Sequence, residues 1–190
     1  MKPMSDRDHR ALLSLLATRS TRRGIFTLAS GKQSTLYIDA RLTTMSPEGL
    51  SLIGRLGLEA LRSVGWPVSA VGGLTLGADP VAYAISYASA ASARPLRAFT
   101  VRKEAKAHGT GKLVEGPFQA GDVVAVVEDV ITTGASALRA ADVVRGAGGE
   151  VAGVLAVVDR EEGGSEALER AGLAVVSLTR ASEILPLVPA

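Results

Sequence analysis

Val123-Val124-Ala125-Val126-Val127-Glu128-Asp129-Val130-Ile131-Thr132-Thr133-Gly134-Ala135-Ser136 is the stretch whose reading decides the fold. Its first five residues, all small or β-branched and apolar, predict a buried strand of a parallel sheet. Glu128 and Asp129 follow at the C-terminal end of that strand. A hydroxyl-rich turn comes next, and Ala137 to Val144 predict a helix with Leu138, Ala141 and Val144 on one face. A strand, a tight turn and a helix N-terminus make an anion site. The first backbone N–H groups of the helix have no internal partner, and the helix dipole adds partial positive charge. The acid pair would repel a phosphate, so it must serve another part of the ligand. An ionised carboxylate only accepts hydrogen bonds, and ribose hydroxyls are the natural donors. The stretch therefore asks for a sugar phosphate. The plainer reading is a strand ending in solvated acids, followed by a helix capped by Ser or Thr. Glu-Asp alone would suit that reading, whereas the whole run is far more specific.

Working outward, the chain has 190 residues, enough for one domain with a sizeable core. Charged residues make up 21%, which argues for a folded globular protein over a disordered one. The formal net charge is only +2 and aromatic residues are 4%, so neither a basic nucleic-acid footprint nor a base-stacking platform is expected. With no cysteine, disulfides and thiolate metal sites are excluded. The N-terminus is charged and lacks the apolar core of a signal peptide, and no run of about 18 apolar residues occurs. A cytoplasmic protein is expected.

Ser5 is a candidate cap for a first helix, with Leu12, Leu15 and Leu16 on its apolar face. Gly24 to Leu28 and Leu36 to Ile38 predict two short strands of a small hairpin lobe. Ser46-Pro47-Glu48 opens the next helix with a serine cap and a proline at the first helical position. Strands then alternate with helices: Val68 to Val71, Leu96 to Val101, the central strand, Val151 to Val158 and Ala174 to Leu178. That alternation predicts an α/β fold, a parallel sheet flanked by helices. Ligands of such sheets sit beyond the carboxyl ends of the strands. Gly72-Gly73, Arg102, Glu128-Asp129 and Asp159-Arg160 all lie at such ends.

Arg102-Lys103-Glu104-Ala105-Lys106-Ala107-His108-Gly109 puts three cations and a histidine within seven residues. From there to Gly116 no apolar periodicity is visible, and a long loop is expected; such loops in compact domains are usually functional or disordered. A lid of cations beside a sugar-phosphate site could neutralise a departing anionic group.

Val126 to Ser136 resembles the phosphoribosyl-pyrophosphate (PRPP) binding motif of type I phosphoribosyltransferases. The run from Arg102 to Gly109 is similar to the catalytic loop of the orotate phosphoribosyltransferase family. Phe26 to Ser34, with Tyr37-Ile38-Asp39, looks like the segment whose backbone holds the pyrimidine ring in that family. The resemblance runs from about Phe26 to Arg160. It implies a type I phosphoribosyltransferase-like parallel sheet with a small N-terminal hood lobe. Residues 1–190 would form a single domain, with 1–45 contributing the lobe. The implied activity is transfer of ribose 5-phosphate from PRPP to orotate, giving orotidine 5′-phosphate and pyrophosphate in pyrimidine (UMP) biosynthesis.

By the same resemblance, PRPP is held by Glu128, Asp129, Val130, Ile131, Thr132, Thr133, Gly134, Ala135 and Ser136, together with Arg102, Lys103, Lys106 and His108. Those four loop residues and Asp129 form the implied catalytic set. Thr132 and Arg160 contact orotate, and a planar guanidinium suits a carboxylate bidentately. The family implies a homodimer with the loop shared across the interface, Lys103 serving the neighbouring site. Magnesium is the implied cofactor, held mainly by PRPP, with no direct protein ligand. The chain departs from the family at Ala29 and at Thr75-Leu76, where many members carry lysine and Tyr-Lys. Two alternatives stay open. A purine-base phosphoribosyltransferase is disfavoured by Arg160 and the cationic loop. A non-enzymatic nucleic-acid-binding regulator of the same fold is disfavoured by the low aromatic content and that same loop.

Overall fold

The computed structural model describes residues 6–27, 33–104 and 112–189. Ser5, Ala29, Lys106 and His108, each singled out above, lie outside the described residues.

Helix α1 (Asp6–Leu15) begins with acids in its first turn and buries Leu12 and Leu13. It continues into a π-helical turn, Leu16–Ser20. Strands β1 (Thr21–Thr27) and β2 (Gln33–Ile38) then pair antiparallel in a two-stranded sheet of their own, as the hairpin reading expects. After a single turn, α2 (Arg41–Thr44), comes α3 (Pro47–Ser63). Ser46 caps it as expected: its Oγ accepts from the Gly49 N–H at 3.1 Å, and Pro47 takes the first helical position.

The main sheet is built from β3 (Ala70–Leu74), β4 (Arg97–Val101), β5 (Val114–Glu115), β6 (Val123–Ile131), β7 (Glu150–Asp159) and β8 (Val175–Arg180). Their spatial order is β5-β4-β3-β6-β7-β8. The pairs among β4, β3, β6, β7 and β8 are parallel, while β5 joins the edge antiparallel to β4. No periodicity announced β5, because two residues are too few to show one.

Helices α1, α3 and α4 (Ala78–Ser89) cover one face of the sheet, and α5 (Ala135–Gly146) and α6 (Gly164–Arg170) the other. Val71, Ala125, Val127, Leu155 and Val157 pack toward Ile53, Leu56 and Ile85. Their neighbours Ala70, Val124, Val126, Val154 and Ala156 pack toward Ala137, Ala141, Val144 and Leu168. Both faces of each central strand are buried, which is why the run from Val123 is continuously apolar instead of alternating. Each buried Val or Leu side chain stabilises by roughly 1.5–3 kcal/mol.

Two expectations are corrected. Gly72 and Gly73 lie inside β3 and not in the turn after it. A Cβ at Gly72 would sit 2.3 Å from the Phe99 carbonyl oxygen, and one at Gly73 would sit 2.2 Å from that of Val127, so close strand approach demands both glycines. The central strand also runs on to Ile131, because Glu128, Val130 and Ile131 keep their register with Ala156, Val158 and Asp159. The acid pair is therefore part of the strand and inherits its rigidity.

Candidate active site

From β3 the chain moves outward to β4, then crosses back to β6 on the other side. The strand order reverses between β3 and β6, the crevice where sheets of this kind bind ligands. A cleft of about 320 Å³ opens there. Thr75, Leu76 and Gly77 form one wall, and Glu128, Asp129, Val130, Thr132 and Ser136 another. Lys103, Arg160 and the segment from Tyr37 to Arg41 complete it.

A smaller recess of about 90 Å³ adjoins the cleft, lined by Val130, Ile131, Thr132, Thr133, Gly134, Ala135, Ser136 and Ala137. Gly134 has φ 79°, and a Cβ on it would lie 2.9 Å from the Gly164 carbonyl oxygen, so the turn requires glycine. The Leu138 N–H donates to the Gly134 carbonyl at 2.9 Å. The amides of Ser136 and Ala137 lie in the first turn, before that bond, and have no helical partner. The Ala135 amide is only loosely held, 3.5 Å from Thr133 Oγ1. Amides aligned with the helix dipole in a recess of this size suit a phosphate.

Glu128 is almost out of solvent, and Asp129 beside it is half-buried. Glu128 is 7% exposed, and its Oε2 has no hydrogen-bond partner among the described residues. Burial, and then the neighbouring Asp129 charge, push its carboxyl up to about 8. Burial also raises Asp129, against the Val130 amide, which donates to Oδ1 at 2.9 Å. Arg41 adds an opposing positive potential at Asp129.

Asp79, in the first turn of α4, ties the opposite wall together. Its Oδ2 accepts from Thr75 Oγ1 at 2.7 Å and its Oδ1 from Thr100 Oγ1 at 2.8 Å. The peptide between Thr75 and Leu76 is cis.

Arg160 stands at the end of β7. Its side chain is 7% exposed and donates to Glu162 at 2.6 Å and to the Leu36 carbonyl at 3.2 Å, which joins the cleft to β2. Lys103 lines the cleft, and its carbonyl accepts from the Arg139 guanidinium. Arg102 lies beside the cleft and does not line it: Nε donates to the Glu104 carbonyl at 3.2 Å, and Nη1 is 3.7 Å from Glu115.

Thus the fold gathers Lys103, Glu128, Asp129, Val130, Thr132, Ser136 and Arg160 in one cleft, with Ile131, Thr133, Gly134 and Ala135 around the adjoining recess. Arg41 was not singled out from the sequence. Nothing in the local sequence ties it to the acids, and only the fold brings it to them. Among the described residues no group of three or more His, Cys, Asp or Glu could hold a metal ion. No helix among them is long and apolar enough to cross a membrane.

A parallel sheet whose strand order reverses at an acid pair and a hydroxyl-rich turn defines a type I phosphoribosyltransferase fold. No family model matches the chain. An orotate phosphoribosyltransferase of Aquifex aeolicus is 49% identical over 161 residues, which cover 85% of this chain and 87% of that one. The crystal structure of Mycobacterium tuberculosis orotate phosphoribosyltransferase with Fe(III) dicitrate superposes with a TM-score of 0.81 at 46% identity, covering 93% of this chain and 98% of that one. A second structure of that M. tuberculosis protein, in complex with PRPP, gives 0.75 at 40% identity, covering 95% and 93%. The chain belongs to the orotate phosphoribosyltransferase family, pentosyltransferases that join orotate to the ribose of PRPP in pyrimidine biosynthesis.

Proposed function

We propose that the switch-point cleft carries out this transfer with its own residues in the following roles. The 5-phosphate of PRPP sits in the recess of Thr132 to Ser136, on the first amides of α5. The ribose hydroxyls donate to Glu128 and Asp129. Arg160 receives the orotate carboxylate, with the Thr132 hydroxyl beside it. The bond from C1 to the diphosphate oxygen breaks while the bond from orotate N1 to C1 forms, N1 giving up its proton. Positive charge gathers on the ribose as the leaving group departs, and the acid pair lies where it can offset that charge. Lys103, with Arg102, Lys106 and His108, neutralises the diphosphate.

The observation that carries this reading is the meeting of a helix-terminal recess, an acid pair and Arg160 in one cleft and its adjoining recess. Its carboxylates are the hard oxygen donors that magnesium prefers, but too few among the described residues to hold the ion alone. Magnesium would be held mainly by PRPP, with no direct protein ligand, and there it would neutralise diphosphate charge. The working form is a homodimer, with the Arg102 to His108 loop reaching the neighbouring site. The chain is one domain, residues 1–45 contribute its small lobe, and it works in the cytoplasm.

The test is purified protein with PRPP, magnesium and either orotate, adenine or hypoxanthine, followed by pyrophosphate release. Turnover with orotate alone is expected, and the protein should elute as a dimer. Turnover with a purine would overturn the base assignment. Absence of turnover together with tight nucleic-acid binding would overturn the enzyme reading.

A further inference from the structure

Arg41 stands in the cleft with no role assigned above. It follows β2 at the start of α2, and its side chain is 49% exposed. Asp39 grips it as a fork: Nε donates to Oδ1 at 2.8 Å and Nη2 to Oδ2 at 3.1 Å. That leaves Nη1 without a protein partner among the described residues. Two anchored nitrogens fix the plane of a guanidinium, so the third is aimed at little entropic cost.

The charges around it say what it is aimed at. Asp39 is already matched by Arg41. Glu128 and Asp129 face the sugar, and the diphosphate of PRPP hangs from C1, next to the 2-hydroxyl. Two acids would repel that diphosphate unless a cation stood close to them. The wall that faces them, Thr75-Leu76-Gly77, offers hydroxyl, methyl and backbone groups but no positive charge. Lys103 also lines the cleft, but the loop that carries it is assigned above to the neighbouring site, and Arg160 is engaged with Glu162 and Leu36 at the orotate end. Arg41 lines the same cleft, and its positive charge is felt at Asp129.

We propose that Arg41, oriented by Asp39, is a substrate-binding residue that contacts the diphosphate of PRPP through its outer nitrogen. This assigns Asp39 as the positioning residue. The inference rests on PRPP occupying this cleft, so the experiment separates the two claims.

Binding of PRPP and of inorganic pyrophosphate, each with magnesium, is measured by calorimetry for the wild type, Arg41→Ala, Arg41→Lys and Arg41→Ala/Leu76→Lys, together with KM for both substrates. If the wild type binds neither anion, the cleft assignment itself fails. If it binds, Arg41→Ala should weaken pyrophosphate and PRPP by about tenfold or more, the loss of one charge-assisted contact. KM for orotate should stay within about twofold. Arg41→Lys should recover part of the affinity, because ammonium is a point charge without the fork. Leu76→Lys, which restores a cation on the facing wall, should also recover part of it in the alanine background. Half-exposed Arg41 supports no core packing, so thermal midpoints should match. Unchanged pyrophosphate affinity in Arg41→Ala would overturn the assignment. So would an effect confined to orotate.

Discussion

The Asp129 carboxylate lies directly against the backbone of Gly77: a Cβ added at Gly77 would come within 2.5 Å of Oδ1. Gly77 has φ −63° and ψ −40°, which any residue adopts, so glycine is required there for space and not for conformation. The two walls of the switch-point cleft meet here. Gly77→Ala should therefore fold normally and turn the Asp129 carboxylate away from the ribose position. The expected result is KM for PRPP raised by about tenfold, matching the loss of one charged hydrogen bond. KM for orotate should hold. Steady-state kinetics with each substrate varied would check this; an unchanged KM for PRPP would show that Asp129 does not grip the ribose.

Glu128 should make the free enzyme sensitive to alkali. Burial, followed by the Asp129 charge, raises its carboxyl from the ordinary glutamate value of 4.5 to about 8. Between those two values the folded chain holds a proton that the unfolded chain has released. Stability therefore falls as pH rises through that window, and the advantage of the protonated form is complete only below it. Glu128→Gln keeps the shape and removes the titration. Its melting temperature relative to wild type should rise steadily from pH 5 to pH 8.5. PRPP should bind the wild type more tightly toward pH 8.5, since ribose hydroxyls donate to the ionised acid, and calorimetry in buffers of different ionisation enthalpy should register proton release. A pH-independent difference between the two proteins would remove the buried proton.

Val123 to Val127 is legible as a buried strand because both of its faces meet helices, and a doubly buried strand needs no polar alternation. The acids and the Thr132 to Ser136 turn are legible because a phosphate cradle is local chemistry, made by neighbours in the chain. Contacts between distant segments are not written locally. Gly77 reads as one more turn glycine until Asp129 is seen filling its side-chain space. Nothing local marks Arg41 until β2 and α2 carry it across to the acids of β6. The limits of β3 escape the sequence for the same reason: Gly72 and Gly73 look like strand-end residues, yet they lie within the strand, pressed by Phe99 and Val127.

At the opposite ends of the strands, Asp122 is a structural acid, and its loss should separate stability from catalysis. It is 6% exposed, with Oδ1 accepting from Ser69 Oγ at 2.8 Å and from the Arg97 guanidinium, and Oδ2 accepting from the Gln119 amide at 2.8 Å. One carboxylate thus pins the entry to β6 against the start of β4 and the residue before β3. Burial opposes its charge, but the Gln119, Ser69 and Arg97 donors outweigh burial and hold its carboxyl below the usual aspartate value. Its stabilising effect is therefore present above about pH 4 and is lost as pH falls through the folded value. Asp122→Ala leaves three donors without an acceptor just beneath the surface, where water can reach some of them, and should cost about 2 kcal/mol. In a chain of this length that is about 4–8 °C in melting temperature at pH 7. The difference should shrink toward pH 3, and kcat should stay at the wild-type value. Chemical denaturation at the two pH values, with a turnover assay at pH 7, checks all of it; a fall in kcat at unchanged stability would place Asp122 in the catalytic machinery after all.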